Sequence, residues 1–90
     1  MFRLWAKIIK DNRMIEDMVV ANGKKELRRT QKVFAAIDEV CDTYNLSKPI
    51  WLDATIEDFQ RRSKTRLTQD NFIDEIDFDY LEIEVIEEDF

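Results

Sequence analysis

Leu27, Val33, Phe34, Ile37, Val40, Cys41 and Tyr44 recur at the three- and four-residue steps that gather side chains on one face of an α-helix. A helix with a single apolar stripe must bury that stripe against another layer, so the rest of the chain has to supply one. The stripe predicts a helix that ends at Tyr44 and begins near Gly23 or near Thr30, with Phe34, Ile37 and Cys41 turned into the core. Asn45 tolerates a left-handed exit, and the residue before Pro49 disfavours helix, so the segment stops there.

The second layer comes from the two ends of the chain. Phe2, Leu4, Ala6 and Ile8 alternate with Arg3 and Lys7, although Leu4, Trp5, Ile8 and Ile9 would also line a helix. The turn chemistry of Lys10-Asp11-Asn12-Arg13 and the β-branched Ile15, Val19 and Val20 that follow favour a hairpin. In YLEIEVI, Leu81, Ile83 and Val85 alternate with Glu82 and Glu84, the pattern of a half-buried strand. If the terminal strands are neighbours, Arg3 and Lys7 meet Glu82 and Glu84 on the outward face, and Trp5 lies beside Tyr80 as a spot for self-association. The competing placement is a sheet edge remote from the basic residues, where Glu82 and Glu84 discourage edge-to-edge pairing. Between them, Ile50 to Leu52 reads as extended, and Asp53 or Thr55 as the cap of a short helix that turns Ile56 and Phe59 inward. Glu57 and Asp58 then occupy its first turn and Arg61, Arg62 and Lys64 its last, as the helix dipole favours. Residues 65–77 permit a short strand at Thr65 to Thr68 and an irregular turn, without a firm assignment. The expected architecture is α+β: a small mixed or antiparallel sheet, built from the N-terminal hairpin and the C-terminal strand, packed against one long and one short helix.

Ninety residues, 44% of them hydrophobic, allow one core and one domain spanning 1–90. Arg3, Lys7 and Lys10 interrupt the opening apolar stretch before a leader core could form, and no apolar run approaches a membrane span. Cys41 is the single cysteine, so no internal disulfide forms. These features point to a cytoplasmic protein that does not engage membranes.

Charge is divided along the chain. Fourteen cations meet ten acids up to residue 68, and ten acids without a cation follow, giving net charges of +4 and −10. The simplest reading is that the halves neutralise each other in the fold, with surplus acids keeping the protein soluble. Lys24, Lys25, Arg28, Arg29 and Lys32 would crowd the positive end of the long helix, which favours a start near Thr30 with GKKELRR as a loop, unless those turns face the acidic C-terminal segment. Segments 24–32 and 61–66 are the candidate polyanion contacts, but a net charge of −6 disfavours nucleic acid as a partner.

Histidine is absent, which removes the commonest general base and metal ligand. Cys41 lies on the core stripe and reads as a small buried hydrophobe. Asp70, Asp74, Asp77 and Asp79 lack the central glycine and fixed offsets of an EF-hand loop, and Gly23 is the one glycine, so no phosphate-binding loop is present. Asp53 with Glu57 is ordinary helix-start chemistry. No catalytic, metal or cofactor residue is nominated, and the chain reads as a non-enzyme without a cofactor. Trp5, Trp51 and Tyr80 are the aromatics to follow, as core or as partner surface; Trp5 shares its strand face with Arg3 and Lys7.

The stretch SKTRLTQDNFIDEIDFDYLEIEVIEED, with WLDATIEDF before it and FRLWAKIIKDNRMI at the start, resembles a group of small uncharacterised proteins from anaerobic Gram-positive bacteria. That resemblance covers most of the chain and implies a bacterial cytosolic protein, without a transferable activity or binding residue. Two functions follow as expectations. One is a non-enzymatic interaction or self-associating accessory module with an unknown protein partner or a second copy, using Trp5, Tyr80, Arg3 and Lys7. The alternative is a small nucleic-acid-associated regulator using segments 24–32 and 61–66.

Overall fold

The alternating segments at the two chain ends become the central strands of one sheet. In a computed structural model that describes residues 1–88, β1 (Phe2–Lys10), β2 (Arg13–Asn22), α1 (Arg29–Tyr44), α2 (Asp53–Arg62), β3 (Lys64–Leu67) and β4 (Tyr80–Glu87) follow in order, with a 3-10 turn at Gln69–Asn71. Asp89, counted above among the C-terminal acids, lies outside the described residues. The sheet is antiparallel throughout, in the order β2-β1-β4-β3, and completes an α+β fold. The expected pairing of the terminal strands is present, with Ala6 opposite Ile83 and Lys7 opposite Glu82.

Local chemistry explains the joints. Asp11 and Asn12 both take positive φ, 53° and 63°, as a two-residue type I′ hairpin requires and as Asp and Asn tolerate best after glycine. Asn45 makes the predicted left-handed exit from α1, at φ 56°. The helix starts at Arg29, so Gly23 to Arg28 form the loop that the misplaced charges anticipated; Leu27 lies in that loop and not on the stripe. Gln31 closes the start by accepting the Arg28 amide at 2.8 Å.

Phe2, Leu4, Ala6 and Ile8 share the inward face with Val20, Leu67, Leu81 and Ile83. Onto it α1 lays Val33, Ala36, Ile37, Val40 and Cys41, and α2 lays Phe59. Two expected core residues are not there. Phe34 is 47% exposed and Ile56 39%, because only a narrow stripe of each helix reaches the sheet; Val33, not Phe34, points at it. The caps also differ: Leu52 is the N-cap of α2, without a side-chain bond, and Asp53 stands in the first turn. Glu57 and Asp58 lie mid-helix, paired with Arg61 and Arg62 one turn on, and Lys64 belongs to β3.

The segment least readable from sequence is organised by two amides. Buried Asn71 accepts the Thr68 amide on its side-chain oxygen (3.0 Å) and donates to the Ile50 carbonyl (2.9 Å) and the Thr55 hydroxyl (3.0 Å). Its own carbonyl accepts from the Ile50 amide. One side chain thereby joins residue 50, α2 and the end of β3. Gln69 donates to the carbonyls of Phe72 and Asp74 and accepts the Ile76 amide, which shapes the loop toward β4. Among the described residues no helix is long and apolar enough to cross a membrane.

Candidate interaction surfaces

Because both helices pack on the inward side, the opposite face of the sheet has no covering element among the described residues. Strand alternation and register place its side chains in rows across all four strands. Asp17, Lys7, Glu82 and Arg66 form one row; Val19, Trp5, Glu84 and Lys64 the next. Arg3 stands opposite Glu87 at one end and Ile9 opposite Tyr80 at the other. The face thus carries Arg3, Lys7, Lys64 and Arg66 against Asp17, Glu82, Glu84 and Glu87, with no net formal charge.

These charges are tied down. Lys7 Nζ lies 3.1 Å from Glu82 and 3.3 Å from Glu84, and 3.8 Å above the centre of the Trp5 ring. Trp5 Nε1 donates to Asp17 Oδ2 at 2.9 Å, and the Arg66 guanidinium stands 4.6 Å over the Tyr80 ring. Trp5 and Tyr80 share the face as expected but are not adjacent. Trp5 is opposite Glu84, four residues from Tyr80, so about 13 Å separates them along the strand. The Lys7–Glu82 row lies between.

Glu82 is the most enclosed acid here, 8% exposed. Burial works to raise its carboxyl, but the Lys7 hydrogen bond and the charges of Lys7, Lys64 and Arg66 outweigh it and hold the group below its ordinary value of 4.5. A carboxylate with a depressed folded-state pKa adds stability above its unfolded pKa and loses it as pH falls through the folded one. Glu82→Gln should therefore flatten the acid limb of a stability-versus-pH curve below about pH 4.5, measured by urea unfolding at several pH values.

A second surface lies between the helices. Phe34 and Phe59 each meet Trp51 edge-on, with ring centres 5.8 and 5.7 Å apart. Val33, Ile56 and Arg29 complete a cleft of about 220 Å³, smaller than the roughly 300–1,000 Å³ usual for small-molecule sites. Trp51 is thus a packing residue flanked by half-exposed Phe34. A larger polar cleft of about 480 Å³ lies between α2 and β3, where Asp58 and Asp70 oppose Arg62 and Arg66.

The basic segment does not form one patch. Lys24 and Lys25 are exposed in the loop and Arg28 at the helix start. Arg29 binds Glu88 and donates to the Ser63 hydroxyl at 2.8 Å, and Lys32 is buried. In the second basic segment, Arg61 and Arg62 pair within α2, whereas Lys64 and Arg66 turn to Glu82. The two halves of the chain do neutralise each other, through Arg3–Glu87, Lys7–Glu82 and Arg29–Glu88. Burial pushes the Cys41 thiol above its ordinary value, consistent with an inert core residue. Among the described residues no group of three or more carboxylate or thiol ligands is arranged to hold a metal; Asp70, Asp74, Asp77 and Asp79 are exposed.

No pattern in the sequence flagged Asn71 or the Phe34–Trp51–Phe59 set, because both depend on segments brought together from distant parts of the chain. No family model matches the chain, and neither a curated protein nor a solved structure matches it.

Proposed function

We propose that this protein is a non-enzymatic protein-interaction module that engages its partner through the open face of the sheet. The observation that carries this reading is the ordering of the face without a cover. Trp5 and Tyr80 are half-buried, their rings held by Lys7 and Arg66, and Trp5 is fixed further by Asp17. Trp, Tyr and Arg dominate interface hot spots, and side chains held before binding lose less freedom on association. The balanced charge and the cation-capped rings favour a protein surface over a nucleic acid, whose phosphates need surplus cations and whose bases need free ring faces.

Two paired variants test the reading. Trp5→Ser with Tyr80→Ser strips the sheet face, and Phe34→Ser with Ile56→Ser strips the helix cleft as a control. Each is immobilised beside the parent protein in native cell extract at low and high salt. Retained proteins should be lost with the sheet-face variant and kept with the cleft variant. Equal retention by the parent and the sheet-face variant overturns the assignment, and retention of nucleic acid that falls steeply with salt replaces it with the polyanion reading.

A further inference from the structure

Building on that reading, we infer that the partner of the open sheet face is a second copy of this chain, related by a twofold axis parallel to the strands.

The inference rests on the order of charge across the sheet. On the open face β2 presents Asp17, β1 presents Arg3 and Lys7, β4 presents Glu82, Glu84 and Glu87, and β3 presents Lys64 and Arg66. In strand order the columns run negative, positive, negative, positive. Rotation about an axis parallel to the strands lays β2 over β3 of the other copy and β1 over its β4, and keeps each row at its own height. Asp17 then faces Arg66, Lys7 faces Glu82, Arg3 faces Glu87, and Ile9 meets Tyr80. In the row between, Glu84 faces Trp5 and Lys64 faces Val19, so charge there meets an uncharged side chain, and like charges meet nowhere on the face. The other twofold lying in the sheet plane, perpendicular to the strands, puts β2 on β2 and β3 on β3, like charge on like. An isologous interface requires a surface complementary to itself, and this pattern satisfies that requirement for one axis alone.

Size sets the strength. Three strands paired over about seven residues and β3 over four, at a spacing of about 4.8 Å, present a flat area of roughly 400 Å². Stable complexes cover about 800 Å² per partner, so the dimer is weak and reversible, micromolar or weaker. The charges already pair within each copy, so they select the orientation more than they add affinity.

The test is sedimentation equilibrium over a wide concentration range with a charge exchange at the outer columns. The parent protein should dimerise. Asp17→Arg alone and Arg66→Asp alone each place like charges face to face and should weaken the dimer about tenfold, whereas the double variant restores the match and the affinity. Circular dichroism melting of each variant tracks folding. A measurement on the parent protein alone accompanies it: amide NMR shifts that change on dilution should map to β1, β4 and their outward residues. A parent that stays monomeric overturns the second-copy proposal and leaves the sheet face to be judged by the extract experiment. Dimerisation without restoration in the double variant overturns the axis. Dilution shifts confined to the helix cleft place self-association there and overturn the sheet-face dimer, again leaving the sheet face to the extract experiment.

Discussion

Ile37→Ala should lower the folding free energy by about 2–5 kcal/mol, as deletion of a buried aliphatic side chain does when its surroundings cannot close. Ile37 is 2% exposed and lies among Val33, Val40 and the inward strand residues. Phe34→Ala, one turn away, should cost about 1 kcal/mol, mainly its edge-on contact with Trp51. Size alone would rank the two in the opposite order. Urea unfolding read against a common slope separates them, since a small domain holds about 5–15 kcal/mol in all. Equal losses would mean that α1 presents a different face to the sheet.

Asn71→Ala should cost about 2–4 kcal/mol, because it deprives the Thr68 amide, the Ile50 carbonyl and the Thr55 hydroxyl of their partner at once. The side chain borders the polar cleft, so water can re-satisfy part of the set, which keeps the figure below the sum of three lost bonds. Asn71→Asp retains the acceptor for Thr68 but loses both donors, so it should not rescue. The melting temperature should fall by roughly 10 °C or more, and the Thr68 amide should lose protection from hydrogen exchange. A melting temperature within a degree or two of the parent would remove Asn71 from this role.

These two residues mark how far the sequence could be read. Ile37 was visible because helical periodicity is local: a three- and four-residue step names the buried face whatever the helix packs against. The same periodicity could not exclude Phe34, since the width of the buried stripe depends on how closely the sheet approaches. Ile56 failed for the same reason. Asn71 carried no signal, as an Asn between Asp70 and Phe72 is ordinary turn composition until residues 50, 55 and 68 surround it. Of the candidate surface, strand alternation placed Trp5, Lys7, Glu82 and Glu84 outward, and unlike charge favoured the pairing of the terminal strands that the register then showed. The 13 Å between Trp5 and Tyr80 followed from register, which alternation leaves open.

The sequence by itself determined which segments alternate, which helix has a stripe, and where the hairpin turn and the end of α1 fall, and it made the meeting of the two charged halves the simplest reading of their charge. Each of these follows from properties of residues a few positions apart, or from charge summed over a segment. Tertiary structure alone decided the strand order, the register of β1 against β4, the placing of β3 beside Glu82, and the columns of alternating charge. Those depend on packing two helices and four strands around one core, where shifting a strand by a single residue would turn every outward charge inward.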